Sequence, residues 1–247
     1  MCNFSYIVVV PIYNEESNID HLLNSILSDF IYTHDKCMKI VFIDDGSTDE
    51  SNQKLTKYLN SFSKFLLVNH NSNIGYGGAL KTAINRYKND ADYLVFIDSD
   101  LTNPLSDIRK IFKYMEKKID FIQANRYLGD VSKFSKKRKF IGILGNFLCK
   151  IFMRMKINDY TNGFRAVRSD LYNNINIIEN DFSIIMEEKF KLKKYLKTIS
   201  EFPTTLSARD SSLKTSSFNY SLPLIFKYLY YCLMSISVIN SSINKID

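Results

Sequence analysis

The chain has 247 residues, of which 45% are hydrophobic and 24% charged, with only 8 Gly and 4 Pro. That composition excludes a disordered, collagen-like or polytopic membrane chain, and the length suffices to bury a full core. Lys and Arg exceed Asp and Glu by 33 to 26, a net charge of +7, which favours anionic partners such as phosphates, nucleic acid or an acidic lipid surface.

Residues 6–10 form a β-branched apolar run and predict a buried strand. The run stops at Pro11 and has no basic lead or cleavage site, so it does not read as a leader peptide. Residues 15–30 carry Ile19, Leu22, Leu23, Ile26 and Leu27 at helical spacing. Residues 39–43 predict a second strand, ending in Asp44-Asp45-Gly46-Ser47, with Thr48 and Asp49 suited to a helix start. Residues 65–68 predict a third strand, and Asn73-Ile-Gly75-Tyr-Gly77-Gly78 leads into a helix ending near Tyr87. Residues 93–97 predict a fourth strand, ending in Asp98-Ser99-Asp100. Pro104 opens another helix, and residues 121–124 predict a fifth strand. This alternation predicts an α/β fold with a mostly parallel central sheet and helices on both faces.

The second half is less regular. Residues 133–139 hold Lys133, Lys136, Lys137, Arg138 and Lys139, and an apolar stripe at 140–155 follows, flanked by Lys150 and Arg154. A basic cluster beside an amphipathic helix reads as a surface for anionic membranes. Residues 222–239 hold one charge, Lys227. They fall short of the ~20 residues that span a bilayer, and Tyr228, Tyr230 and Tyr231 suit an interface. An interfacial helix is expected there, with a packed or partner helix and a membrane span as alternatives. The same segment could pair subunits into a homo-oligomer. The expected division is a main domain at 1–216 and a membrane-associated helical extension at 217–247.

Three polar clusters, Pro11-Ile-Tyr13-Asn-Glu15, Asp44-Asp45 and Asp98-Ser99-Asp100, each follow a predicted strand. Ligands of open α/β sheets bind beyond the carboxyl ends of strands, so the clusters converge on one edge. Two carboxylates two residues apart suit a hard cation, Mg²⁺ or Mn²⁺, that takes its remaining ligands from phosphates. Each cluster alone also reads blandly, as a solvated loop, a helix cap or a strand-to-helix turn. Cys2, Cys37, Cys149 and Cys232 show no C-x-x-C spacing and read as reduced cytosolic thiols. His21, His34 and His70 have no partner in sequence and read as packing residues. No pattern beyond net charge points to nucleic acid.

In order and spacing, these clusters with Asn73-Ile-Gly75-x-Gly77-Gly78-Ala79 resemble a family 2 glycosyltransferase of the GT-A fold. Asn125-Arg126-Tyr127, Asp159-Tyr-Thr161-Asn-Gly163-Phe164-Arg165, Glu187, Glu201-Phe-Pro203, Arg209 and Lys214 resemble the dolichol-phosphate mannosyltransferase branch. That branch includes bacterial enzymes that load sugars onto undecaprenyl phosphate. The resemblance covers residues 5 to 215.

It implies a sugar transferred from a nucleoside diphosphate to a polyprenyl phosphate at the cytoplasmic membrane face, with inversion and a divalent metal. A saccharide hydroxyl as acceptor and a non-catalytic sugar-nucleotide-binding subunit remain as alternatives. Pro11, Tyr13 and Glu15 would hold the nucleoside, and Ile43 and Asp45 would line the base pocket. Asp98 and Ser99 would contact ribose or sugar, and Asp98 and Asp100 would bind the metal. Arg126, Arg209 and Lys214 would clamp the departing phosphates, and Arg138 and Arg165 would meet the acceptor phosphate. Glu187, beside Glu188, is the candidate base for a hydroxyl acceptor; a solvated helix face is the alternative for Glu188. The chain departs from the branch in three places. Thr102 replaces a Gln, Asn162 replaces a Ser or Gly, and the Arg209–Lys214 segment is one residue shorter and lacks its Gly.

Overall fold

The computed structural model describes residues 4–28, 33–59, 61–129, 136–205 and 221–243. In chain order they form β1 (Tyr6–Ile12), α1 (Glu16–Ser28), β2 (Cys37–Asp44), α2 (Ser51–Leu59), β3 (Phe65–Asn69), α3 (Tyr76–Tyr87) and β4 (Tyr93–Phe96). There follow α4 (Ile108–Glu116), β5 (Phe121–Asn125), α5 (Lys136–Met153), β6 (Arg165–Arg168), α6 (Ile184–Leu192), β7 (Ile199–Pro203) and α7 (Leu222–Ile243). The seven strands make one sheet in the order β3-β2-β1-β4-β6-β5-β7. All neighbours are parallel except β6, which runs antiparallel to both β4 and β5.

Successive side chains of a strand point to opposite faces, and β1 feeds both layers. Tyr6, Val8, Val10 and Ile12 pack with α1, α2 and α4, including Ile19, Leu22, Leu55 and Ile111. Ile7 and Val9 pack with α3 and α6, including Leu80, Ala83 and Ile184. A strand buried on both faces reads as an unbroken apolar run, which is how residues 6–10 read. A third cluster, with Met153, Tyr160, Met186, Tyr231 and Cys232, sits where α5, α6 and α7 meet.

Several boundaries differ from the sequence reading. Pro11 does not stop β1: pairing with β2 continues to Ile12↔Asp44. The helix expected at Thr48 begins at Ser51, whose amide donates to the Asp49 carboxylate at 3.0 Å. Strands β6 and β7 escape the apolar pattern because each is short and carries charge, Arg165 and Arg168 in one and Glu201 in the other. Helix α6 looks like a solvated charged face, yet Glu187, Glu188 and Lys189 are all fully buried. No helix among the described residues is long and apolar enough to cross a membrane.

Candidate functional site

Strands β1, β2 and β4 are parallel neighbours, so their following loops meet at one edge. The loops are stitched together. Asn14 donates its amide to Ser47 Oγ at 2.9 Å and accepts the Thr48 amide at 2.7 Å. The Glu15 amide donates to Ser51 Oγ at 2.7 Å. Gly46 has φ +71, and a Cβ there would lie 2.5 Å from the Ser72 carbonyl carbon. Only glycine tolerates both the left-handed backbone and that approach. In this frame Tyr13 is exposed, Glu15 half-buried and Pro11 buried. Ile43 is fully buried in the core with α3.

Asp45 is also buried. Its carboxylate accepts the amides of Ile74 at 3.0 Å and Gly75 at 2.8 Å, and meets His70 Nδ1 at 2.7 Å. His70 Nε2 lies 2.9 Å from Thr82 Oγ1. Asp45 therefore holds the turn that opens α3, and contact with a base would add to those bonds. His70, read from sequence as a packing residue, is part of this hub. Its place one residue after β3, on the same edge, was the available signal.

Asp98 and Asp100 follow β4. The Tyr76 hydroxyl donates to Asp98 Oδ1 at 3.1 Å, and the Tyr76 ring stacks on Phe182 at 4.5 Å. Burial, and next the Asp100 charge, push the Asp98 carboxyl up to about 6. Thr102 accounts for one departure from the branch. Its amide and hydroxyl bond Asp100 Oδ1 at 3.0 and 2.8 Å, fixing that carboxylate. Between them Leu101 takes φ 50, a conformation that costs a non-glycine residue roughly 1–2 kcal/mol and often marks a functional site. Ser99 is buried. Asn162 is accommodated too: its carbonyl oxygen accepts the Phe164 amide at 3.1 Å and its amide donates to Ala124 O at 3.2 Å.

Two adjacent carboxylates whose charges oppose each other fit a divalent cation. Among the described residues no group of three His, Cys, Asp or Glu could hold a metal by itself. A cation at Asp98 and Asp100 must complete its shell with ligand oxygens and water, the usual arrangement for Mg²⁺ on a diphosphate.

Arg126 follows β5. Its Nε and Nη2 form a fork on the fully buried Asp159, both at 2.7 Å, and Nη2 also reaches Thr161 Oγ1 at 2.6 Å. Its charge acts on Asp98, lowering that pKa against the larger upward effects. Glu201 ties the same region, accepting from Asn125 Nδ2 at 3.0 Å and from the amides of Asn158 and Asp159 at 2.7 and 3.1 Å. The distant runs at 125–127, 159–165 and 201–203 are thus one structural unit.

Burial speaks against two of the expected roles. Arg165 is fully buried; it forks onto Glu188 and donates to Gly163 O at 2.8 Å, an arrangement that turns its guanidinium inward rather than toward an acceptor phosphate. Glu187 is equally buried; it accepts the amides of Ile178 and Glu179 at 2.9 and 2.8 Å and pairs with Lys191 at 2.6 Å. It has the geometry of a loop anchor rather than of a base facing an acceptor. Arg138 lies in the first turn of α5, with its side chain outside the described residues, as are Arg209 and Lys214 altogether.

Residues 7–175 match the family model described as glycosyl transferase family 2. The chain belongs to glycosyl transferase family 2. Within that family it is 28% identical over 233 residues to the dolichol-phosphate mannosyltransferase of Pyrococcus furiosus, covering 90% of this chain and 61% of the relative. It is 28% identical over 165 residues to the undecaprenyl-phosphate 4-deoxy-4-formamido-L-arabinose transferase of Edwardsiella ictaluri, covering 66% of this chain and 49% of the relative. The chain therefore spans about half to three fifths of the length of these curated relatives. Their names fall in the polyprenyl-phosphate branch that the family 2 motifs resemble. The fold is similar to that of glucosyl-3-phosphoglycerate synthase from Mycobacterium tuberculosis in complex with Mn²⁺, uridine diphosphate and glucosyl-3-phosphoglycerate. That match has TM-score 0.68 and 17% identity and covers 95% of this chain and 80% of the other. It shows the fold alone, and the seven-stranded, mostly parallel sheet with helices on both faces is the expected GT-A arrangement.

Proposed function

We propose that this protein transfers a sugar from a nucleoside-diphosphate sugar to a polyprenyl phosphate, inverting the anomeric carbon, at a membrane surface. The observation that carries the choice of acceptor is the burial of Glu187 and Glu188, each engaged by its own partners. A hydroxyl acceptor needs a base within reach of its proton. A phosphate monoester, with a second pKa of ~6, is already largely anionic at neutral pH and needs none.

The donor side rests on the strand-end loops. Asp98 and Asp100 would hold Mg²⁺ or Mn²⁺, which when bound neutralises charge on the leaving diphosphate. Asp159 and Thr161 keep Arg126 in one orientation, so its charge is preorganised beside the acidic pair. Arg209 and Lys214 would add charge to the same phosphates. The Asp45 hub sets the backbone on which Tyr13 and Glu15 face a nucleoside.

The membrane side rests on α5 and α7, which pack together. Phe140 and Phe147 on α5 are 68% and 58% exposed, and Leu222, Phe226 and Leu233 on α7 are 70%, 67% and 57% exposed. Large apolar side chains grouped on adjacent helices, beside the basic start of α5, suit an anionic interface. The protein would lie peripherally on the cytoplasmic face.

The test is transfer of label into an organic-extractable lipid. Protein is mixed with a panel of labelled nucleotide sugars, Mn²⁺ or Mg²⁺, and undecaprenyl or dolichyl phosphate. Lipid label that needs both metal and lipid phosphate is the expected result. Turnover only with an added saccharide would refute the acceptor. Nucleotide binding with no turnover would refute the enzyme.

A further inference from the structure

The segment from Ile178 to Phe182 lies between α7 and the acidic pair, and it is held from every side. From α7, Lys227 pairs with Glu179 at 2.6 Å and Asp181 at 2.7 Å. Tyr231 donates its hydroxyl to Glu179 Oε1 at 2.8 Å, and Tyr228 donates to Phe182 O at 3.2 Å. From α6, the buried Glu187 accepts the amides at 178 and 179. From α3, Gly77 and Gly78 donate their amides to Asn180 O at 2.7 and 3.2 Å, and Lys81 donates to Ile178 O at 2.9 Å. Gly75 permits the approach, because a Cβ there would lie 2.3 Å from Asn180 O.

The segment ends at Phe182, whose ring lies nearly parallel to Tyr76, with 4.5 Å between centroids and 18° between planes. Tyr76 in turn donates to Asp98 Oδ1. A continuous set of contacts thus runs from Lys227 and Tyr228 on α7, through Glu179–Phe182 and Tyr76, to a carboxylate of the donor site. Gly163 lies against both groups, since a Cβ there would stand 2.9 Å from Asp98 Oδ2 and from the Tyr76 hydroxyl, and its bare face leaves them room to meet.

We propose that Tyr76 is a positioning residue for Asp98, and that α7 sets Tyr76 through the strut at 178–182. The helix with the exposed apolar face then contributes to cation binding at the strand ends without touching the cation. This rests on the donor-site reading above, in which Asp98 is a metal ligand.

The experiment measures Mn²⁺ binding to the full chain by electron paramagnetic resonance, with uridine and guanosine diphosphate as probes. Tyr76→Phe keeps the ring stack and removes the bond to a charged group, so Mn²⁺ binding should weaken about tenfold. Lys227→Met should weaken it severalfold, and Lys227→Arg should restore it. The double variant should be weaker than wild type by less than the product of the two single effects, because both act through one chain of contacts. A purely structural role for Lys227 would lower the unfolding midpoint and leave Mn²⁺ binding of the folded protein unchanged, which would overturn the proposal. Multiplicative effects in the double variant would also overturn it. If wild-type protein bound no Mn²⁺ with either nucleotide, the donor-site reading itself would fall, and the strut with it. Lys39→Met, at an exposed ion pair with Asp90, serves as the control expected to bind like wild type.

Discussion

Replacing Gly163 with Ala tests the geometry of the acidic pair directly. A methyl group at that position would lie 2.9 Å from Asp98 Oδ2 and 2.9 Å from the Tyr76 hydroxyl. Contacts that close force something to move. What must move is not backbone but the ends of two side chains, so the fold can absorb the change. Gly163 has no left-handed φ, so alanine adds no backbone strain there. The cost falls on the Tyr76–Asp98 hydrogen bond. A bond to a charged group contributes about 1.5–3 kcal/mol, equivalent to about 10–100-fold in binding. Gly163→Ala should therefore lose about that factor in Mn²⁺-dependent donor turnover, while its unfolding midpoint falls by about 3–12 °C and the protein stays folded. The assay pairs kcat/KM against Mn²⁺ concentration with a thermal melt. Unchanged kcat/KM at limiting Mn²⁺ would refute the reasoning. So would a collapse in stability, since it would place the clash in the core.

The Asp98 carboxyl, pushed up to about 6 by burial and by Asp100, must be ionised to bind a cation. Mn²⁺ binding should strengthen as pH rises through that value and should release a proton, measurable by calorimetry in buffers of different ionisation enthalpy; pH-independent binding across that range would contradict it. In the metal-free protein the sign reverses. The native state keeps a proton that the unfolded chain has lost, so this group's contribution to stability falls as pH rises toward 6. Glu188→Ala leaves Arg165 fully buried without its carboxylate, and chemical denaturation should report a loss of about 3–5 kcal/mol. Glu187→Gln should lower stability by about 1–3 kcal/mol through its lost bonds yet keep kcat near wild type. A kcat loss of 10²-fold or more in the folded protein would instead mark a general base. Phe226→Asp, on the exposed face of α7, should reduce flotation with phosphatidylglycerol vesicles without moving the unfolding midpoint; unchanged flotation would remove α7 from the membrane reading.

The donor half was legible because its signals are local. The run at 6–10 is apolar on both faces, and each acidic cluster sits just past such a run, so topology alone brings them together. The second half hides its logic in buried charge. Arg165, Glu187, Glu188 and Lys189 look like solvent-facing residues, and only the packed structure, with the Arg165–Glu188 pair across 23 residues, shows otherwise. The resemblance marked Arg165 and Glu187 as site residues without showing that both are buried and paired, because a motif records which residue recurs and not which way it faces. His70 and Tyr76 were missed as site residues because their partners, Asp45 and Asp98, lie 25 and 22 residues away in the loops after other strands.

The reversed direction of β6 also dictates an order of assembly. Because β6 runs against β4, with Arg165 beside Phe96, the residues before it rather than after it arrive at Asp98. Gly163 and Asp159 therefore reach the acidic pair only after some sixty further residues have emerged. A nascent chain that has made β1 to β4 already carries Asp98 and Asp100. It lacks the Gly163 wall and the Asp159 fork that orients Arg126. An interrupted or clipped chain thus leaves an acidic loop without Arg126 and its Asp159 fork, and the proposed donor site is complete only once the second half has closed over the first.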